Sequence, residues 1–81
     1  MIIQGQYHLR SKKWGLNETF QVKSNASKEM MDEYKECVLD NIEQLICDYL
    51  LNRFDVEKYE EMRELIPTKI SQIKFTTLTK N

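Results

Sequence analysis

The chain is poor in the residues that most often build a site. Its 81 residues include two glycines, one proline, two cysteines, one histidine and one tryptophan. With only Gly5 and Gly15, no glycine-rich phosphate loop can be assembled. Cys37 and Cys47 are too few for a disulfide scaffold and lack metal-site spacing. On one helix they would stand roughly 15 Å apart, well beyond the Cα separation of about 7 Å that a disulfide tolerates. No run of 18 apolar residues exists, so a transmembrane helix is not expected. The opening MIIQGQYHLR lacks the basic segment and long apolar stretch of a signal peptide. These absences lead to the expectation of a cytoplasmic protein in a reducing compartment, with no cofactor, no metal and no membrane partner.

What is present is an ordinary globular mixture, 41% hydrophobic and 31% charged, of a length that suits one domain over residues 1–81. Two stretches alternate with a period of two, the mark of half-buried strands. In the first, Ile3, Tyr7 and Leu9 oppose Gln4, Gln6, His8 and Arg10; in the second, Phe20 and Val22 oppose Thr19, Gln21 and Lys23. Between them SKKWGLN carries Gly15, which suits the positive φ of a hairpin loop, so a hairpin over 2–23 is expected with Trp14 near its tip.

Helical spacing follows. Met31, Tyr34, Val38, Ile42, Leu45 and Tyr49 recur every three or four residues and predict a helix over about 28–51, capped by Ser27 or Asn25. Asp55 suits the cap of a second helix over about 56–66, with Val56, Tyr59, Met62 and Ile66 as its apolar stripe and Pro67 as its stop. One continuous helix over 28–66 is the alternative, because NRFD holds no strict breaker. A third strand is predicted over about 69–78, with Ile73 and Phe75 opposed to Gln72, Lys74 and Thr76. The expected fold is therefore α+β in the order ββααβ. Two layers result: a three-stranded antiparallel-type sheet, made of the hairpin and the C-terminal strand, and two helices covering one of its faces.

The net charge of −1 conceals a division. Residues 28–66 hold twelve acids and five bases, residues 1–27 four bases and one acid, and residues 67–81 three bases and no acid. At about 100° per residue, Glu29, Asp32, Glu33, Glu36, Asp40 and Glu43 fall on one stripe opposite the apolar one. Glu57, Glu60, Glu61 and Glu64 do the same on the second helix, and Lys28, Lys35 and Lys58 lie near enough to offset a few of them. Such stripes are either solvated faces or negative surfaces that steer toward a basic partner. Toward the end of the first helix, Cys47, Leu51 and Phe54 intrude on the acidic side, and their neighbours Ile46 and Leu50 leave little of that turn polar. Either the second helix folds back over them or they form a self-association surface between two subunits.

Nothing local equips His8 for catalysis, and the many carboxylates lie on helix faces rather than in a cleft, so enzymatic activity is not expected. Cys37 is assigned to packing at the edge of the apolar stripe. The expected function is that of a small macromolecule-binding protein. As an interaction or inhibitor module, it presents the acidic faces to a protein partner with a basic surface. The basic hairpin loop of Arg10, Lys12, Lys13 and Trp14 is a second candidate surface. Trp14 has two readings, a ring folded back over Leu16 or Leu9 and an exposed anchor. Nucleic-acid binding through the hairpin and the outer sheet face (Gln4, Gln6, His8, Arg10, Thr19, Gln21, Lys23, Gln72 and Lys74) is an alternative. It lacks stacking aromatics, since Tyr7, Phe20 and Phe75 point inward in this register. A self-associating structural protein is a further alternative. In size and patchy acidity the chain resembles the small proteins that phages and mobile elements make against host defence, including anti-CRISPR proteins. That likeness implies a non-enzymatic inhibitor and carries no site residue.

Overall fold

A computed structural model describes residues 1–78. Strands β1 (Ile2–Ser11) and β2 (Leu16–Asn25) form an antiparallel hairpin, followed by helices α1 (Met31–Arg53) and α2 (Val56–Met62) and strand β3 (Lys74–Leu78). The sheet order is β2-β1-β3, and both pairings are antiparallel. β1 is thus the central strand. It pairs along its whole length with β2, from Ile2↔Asn25 to Ser11↔Leu16, but only from Ile2↔Leu78 to Gln6↔Lys74 with β3.

The period-two reading of the hairpin holds. Ile3, Gly5 and Leu9 are buried and Tyr7 is half-buried on the inner face, while His8 and Arg10 are exposed on the outer one. Gly15 takes φ 67°, and its N–H donates to the Lys12 carbonyl at 3.3 Å to close the loop. Only glycine adopts that angle without strain.

α1 lies along the inner face of the sheet. Val38, Ile42, Ile46 and Leu50, one ridge of residues spaced by four, are each 0% exposed. This corrects the expected stripe at Leu45, which is 44% exposed. A ridge of step four winds about 40° around the axis per step, because each residue turns the helix by about 100°. Over three steps the buried face therefore swings well away from Leu45 and toward the side that began as acidic. The same rotation brings Leu50 into the core and leaves Glu43 half-buried.

The helix closes on the sheet where it can come nearest. A Cβ placed on Gly5 would collide with Val38 Cγ1, and would stand 3.1 Å from Ile73 Cγ2 and 3.3 Å from Phe75 Cε1. Three elements meet over a position that has room for no side chain. The core is completed by Leu9, Leu16, Ala26, Leu39, Met62 and Ile73.

Two expectations about the helix starts part ways. Ser27 precedes a 3-10 turn at Lys28–Met30, and neither it nor Asn25, the last residue of β2, caps the helix with its side chain. The tight turn takes the place of the cap: Met30 N–H donates to the Ser27 carbonyl at 3.1 Å, and α1 begins only at Met31. Asp55 does cap α2, its carboxylate accepting from Lys58 N–H at 2.9 Å. The chain breaks at Phe54 in an extended conformation, so the helices are separate.

α2 is shorter than expected, passing into a 3-10 turn at Arg63–Leu65, and Val56 is 66% exposed rather than part of a buried stripe. Met62 carries the docking instead and is fully buried. Tyr59 OH donates to Cys47 Sγ at 3.2 Å, and Tyr7 OH donates to the Leu65 carbonyl at 3.0 Å. Tyr7 is the first β1 residue beyond the reach of β3, so the turn that follows α2 closes the core where the sheet narrows.

Residues 69–73 are not strand. A 3-10 turn at Ile70–Gln72 precedes β3, and Gln72 Oε1 accepts from the N–H groups of Thr68 and Lys69 at 2.9 and 3.0 Å. A side chain that satisfies the local backbone in this way removes the need for a ladder partner.

The molecule is elongated, 44 × 20 × 19 Å, with a radius of gyration of 14.0 Å. A compact chain of this length would have about 12 Å. The long axis follows from α1 and the hairpin, which run side by side and are each about 35 Å long.

Two outcomes follow from this packing. Gly5→Val should abolish cooperative unfolding in a urea titration, and Ile42→Ala should lower stability by about 2–5 kcal/mol while leaving the fold intact. Burial raises the pKa of Tyr7, and the hydrogen bond to Cys47, followed by burial, raises that of Tyr59. Folding therefore favours the neutral phenols. Their contribution is intact below about pH 10, the ordinary tyrosine value, and is lost as pH rises through the higher folded values. Replacing both by phenylalanine should flatten the alkaline limb of stability followed by circular dichroism.

Candidate functional site

The acidic faces lie where the helix rotation puts them. Glu29, Asp32, Glu33, Glu36 and Asp40 are exposed along α1 and the turn before it, on the side turned from the sheet, while Glu43 is half-buried. Glu57, Glu60, Glu61 and Glu64 are exposed on α2 and its following turn. Neutralisation is slight. Among the described residues one ion pair exists, Glu60 with Arg63 at 3.2 Å. Lys28, Lys35 and Lys58, expected to offset the stripes, make none. Lys35 is half-buried and sets its ammonium 5.6 Å from the centre of the Phe75 ring. Such an arrangement favours its own helix little, since like charges at i,i+4 each cost a few tenths of a kcal/mol.

At the opposite end, the hairpin loop meets the last turn of α1. Arg10, Lys12 and Lys13 are exposed, but Trp14 is partly buried. Its ring packs against the core and stacks edge-on against Phe54, with centroids 6.1 Å apart. Its backbone N–H donates to Ser11 Oγ at 3.4 Å. Cations flank these rings. Lys13 Nζ sits 5.2 Å from the Trp14 ring, and the Arg53 guanidinium sits 5.9 Å from Phe54 and 5.8 Å from Tyr49 while donating to Tyr49 OH at 2.9 Å. Tyr49 in turn stacks edge-on against Phe20 at 5.5 Å. Sequence reasoning gave Arg53 no place here and read Tyr49 only as part of the apolar stripe. Their i,i+4 spacing was a legible local signal, but the stacking of Tyr49 on Phe20 and of Phe54 on Trp14 depends on where the hairpin lies relative to α1.

The apolar patch expected at Cys47, Leu50, Leu51 and Phe54 is taken up within the chain. Leu50 is core, Cys47 meets Tyr59, and Phe54 meets Trp14; only Leu51, 46% exposed, faces outward. Cys37 is exposed and not in the packing, and both cysteines are free.

The other face of the sheet carries no layer. Gln4, Gln6, His8 and Arg10 of β1 lie on it beside Asn17, Thr19, Gln21 and Lys23 of β2 and Lys74 and Thr76 of β3. Gln4 Nε2 donates to Gln21 Oε1 at 3.0 Å, and His8 Nδ1 lies 2.8 Å from Thr19 Oγ1. Gln72 is absent from this face, being held in the 3-10 turn. Tyr7, Phe20 and Phe75 are half-buried on the inner side, as the register requires.

Among the described residues there is no pocket, no cluster of three metal-ligating side chains, and no helix long and apolar enough to cross a membrane. The surfaces available for recognition are broad faces rather than clefts. No known protein family, curated protein or solved structure matches the chain.

The single tryptophan reports on the loop. Emission from Trp14 should lie to the blue of free tryptophan in buffer. Phe54→Ala should shift it to the red with little change in far-ultraviolet circular dichroism. An unshifted spectrum would place the ring off α1.

Proposed function

We propose that this chain is a small, non-enzymatic interaction module that docks a basic surface of a protein partner through its acidic helix faces. The observation that supports this reading is the near absence of neutralisation. Nine of the ten predicted carboxylates are exposed, and among the described residues one ion pair serves them. A face kept negative against its own self-repulsion raises the encounter rate with a positive surface and disfavours negative ones. The elongated form sets these charges along a rod about 20 Å across. A partner of matching chemistry is a protein whose basic groove otherwise holds nucleic acid, and occupation of that groove is how an inhibitor of this kind acts. The basic hairpin tip ranks second as an anchor, because Trp14 is already engaged with Phe54.

Affinity capture from the host tests the reading. Wild-type protein should retain a basic partner, and excess duplex DNA should displace it. Glu33→Lys/Glu36→Lys/Asp40→Lys should lose it while keeping the wild-type circular dichroism spectrum. Capture that survives this charge reversal removes the acidic faces as the docking surface.

A further inference from the structure

The open face of the sheet has an order that the sequence conceals. Because β1 is central, Lys23 and Lys74, fifty-one positions apart, flank the same strand. Viewed in transverse rows, the face reads Lys23–Gln4–Thr76, then Gln21–Gln6–Lys74, then Thr19–His8, then Asn17–Arg10. Three of these four rows hold a lysine or arginine, on β2, β3 and β1, the third row holds His8, and none contains an acid; a fifth row at the far end, Asn25–Ile2–Leu78, is uncharged. The rows recur every two residues, about 6.8 Å apart. Lys12 and Lys13 extend the series at the hairpin tip, and all five lysines and arginines, with His8, are exposed.

From this placement we propose that the uncovered sheet face binds the backbone of a single-stranded nucleic acid lying along β1. The line of charge fits an extended polyanion. Its row spacing is about twice the 3.4 Å axial rise per nucleotide of a duplex strand, a distance that an extended single strand can follow. The floor between Lys23 and Lys74 is made of Gln4, Gln6 and Gln21, whose amides offer both donors and acceptors to bases and sugars. No aromatic ring is available for stacking, so binding rests on charge, is indifferent to sequence and is weak.

Repulsion from the acidic helices does not forbid this. They occupy the opposite side of a body about 20 Å thick. That is more than twice the screening length of about 8 Å at physiological salt. The two surfaces therefore act independently, and this inference does not rest on the acidic-face reading.

Fluorescence anisotropy of the full chain with labelled 20-nucleotide single strands tests it. The expected dissociation constant is on the order of micromolar at about 50 mM salt, and the logarithm of affinity should fall with the logarithm of salt by about 0.7 for each phosphate contact. Arg10→Gln/Lys23→Gln/Lys74→Gln should weaken binding at least tenfold and reduce that slope by about 2, with circular dichroism unchanged. Glu33→Lys/Glu36→Lys/Asp40→Lys should leave binding to the sheet face in place. Four results overturn the proposal: no binding at low salt; loss confined to Lys12→Ala/Lys13→Ala, which assigns the contact to the loop; displacement by polyglutamate as effective as by oligonucleotide, which makes the face a general anion surface; and salt-sensitive self-association in sedimentation that the helix-face reversal abolishes, which makes a second copy the occupant.

Discussion

The approach of Val38 to Gly5 governs most of what lies above it. A helix resting on a sheet can roll about its own axis until something locks it, and here the lock is a side chain seated over a backbone with no Cβ. Once Val38 is fixed, the ridge through Ile42, Ile46 and Leu50 follows by geometry alone. With the ridge set, the outward direction of each carboxylate is set as well. A roll of one residue would turn the acidic stripe partly into the sheet, where unpaired charge is costly to bury. The charge pattern of the surface is thus a consequence of one packing contact in the interior.

Charge segregation and layer order reinforce each other. The helical layer is acidic and the open sheet face is basic, so each face repels further copies of its own kind. The lateral edges carry similar protection. Glu18 sits on the inner side of β2 opposite Leu9 yet remains exposed, and an inward-facing charge on an edge strand discourages another strand from adding there. Trp14 and Phe54 tie the hairpin tip to the end of α1, so the two long elements are joined there as well as at Gly5 and Val38.

Much of the fold was legible because it is written in local periods. The strict alternation in β1 and β2 needed no tertiary information, and Asp55 announced the break between the helices. The errors share one cause, which is that burial is decided by partners the local pattern does not name. Leu45 and Val56 fit a helical stripe, yet the ridge of step four turns past the first, and α2 rests on Met62 rather than the second. Residues 69–73 alternate like a strand, but Gln72 folds back to serve Thr68 and Lys69. The acidic stripes were visible at once, since a helix face is a local property. The members of the basic face were legible from the alternation, but neither their order in rows nor the Trp14–Phe54 contact was, since both depend on which strand lies in the middle and where distant segments end.

The pairing of Ile2 with Leu78 bears on how the chain is made. The central strand leaves the ribosome before one of its two neighbours, with β2 and both helices made in between. The hairpin and α1 can associate early, but until β3 arrives half of one edge of β1 stands bare beside Gly5. A nascent chain stalled before β3 would expose that edge to other chains. Completion of the sheet therefore waits on the delivery of Lys74–Leu78, whatever the stability of the finished molecule.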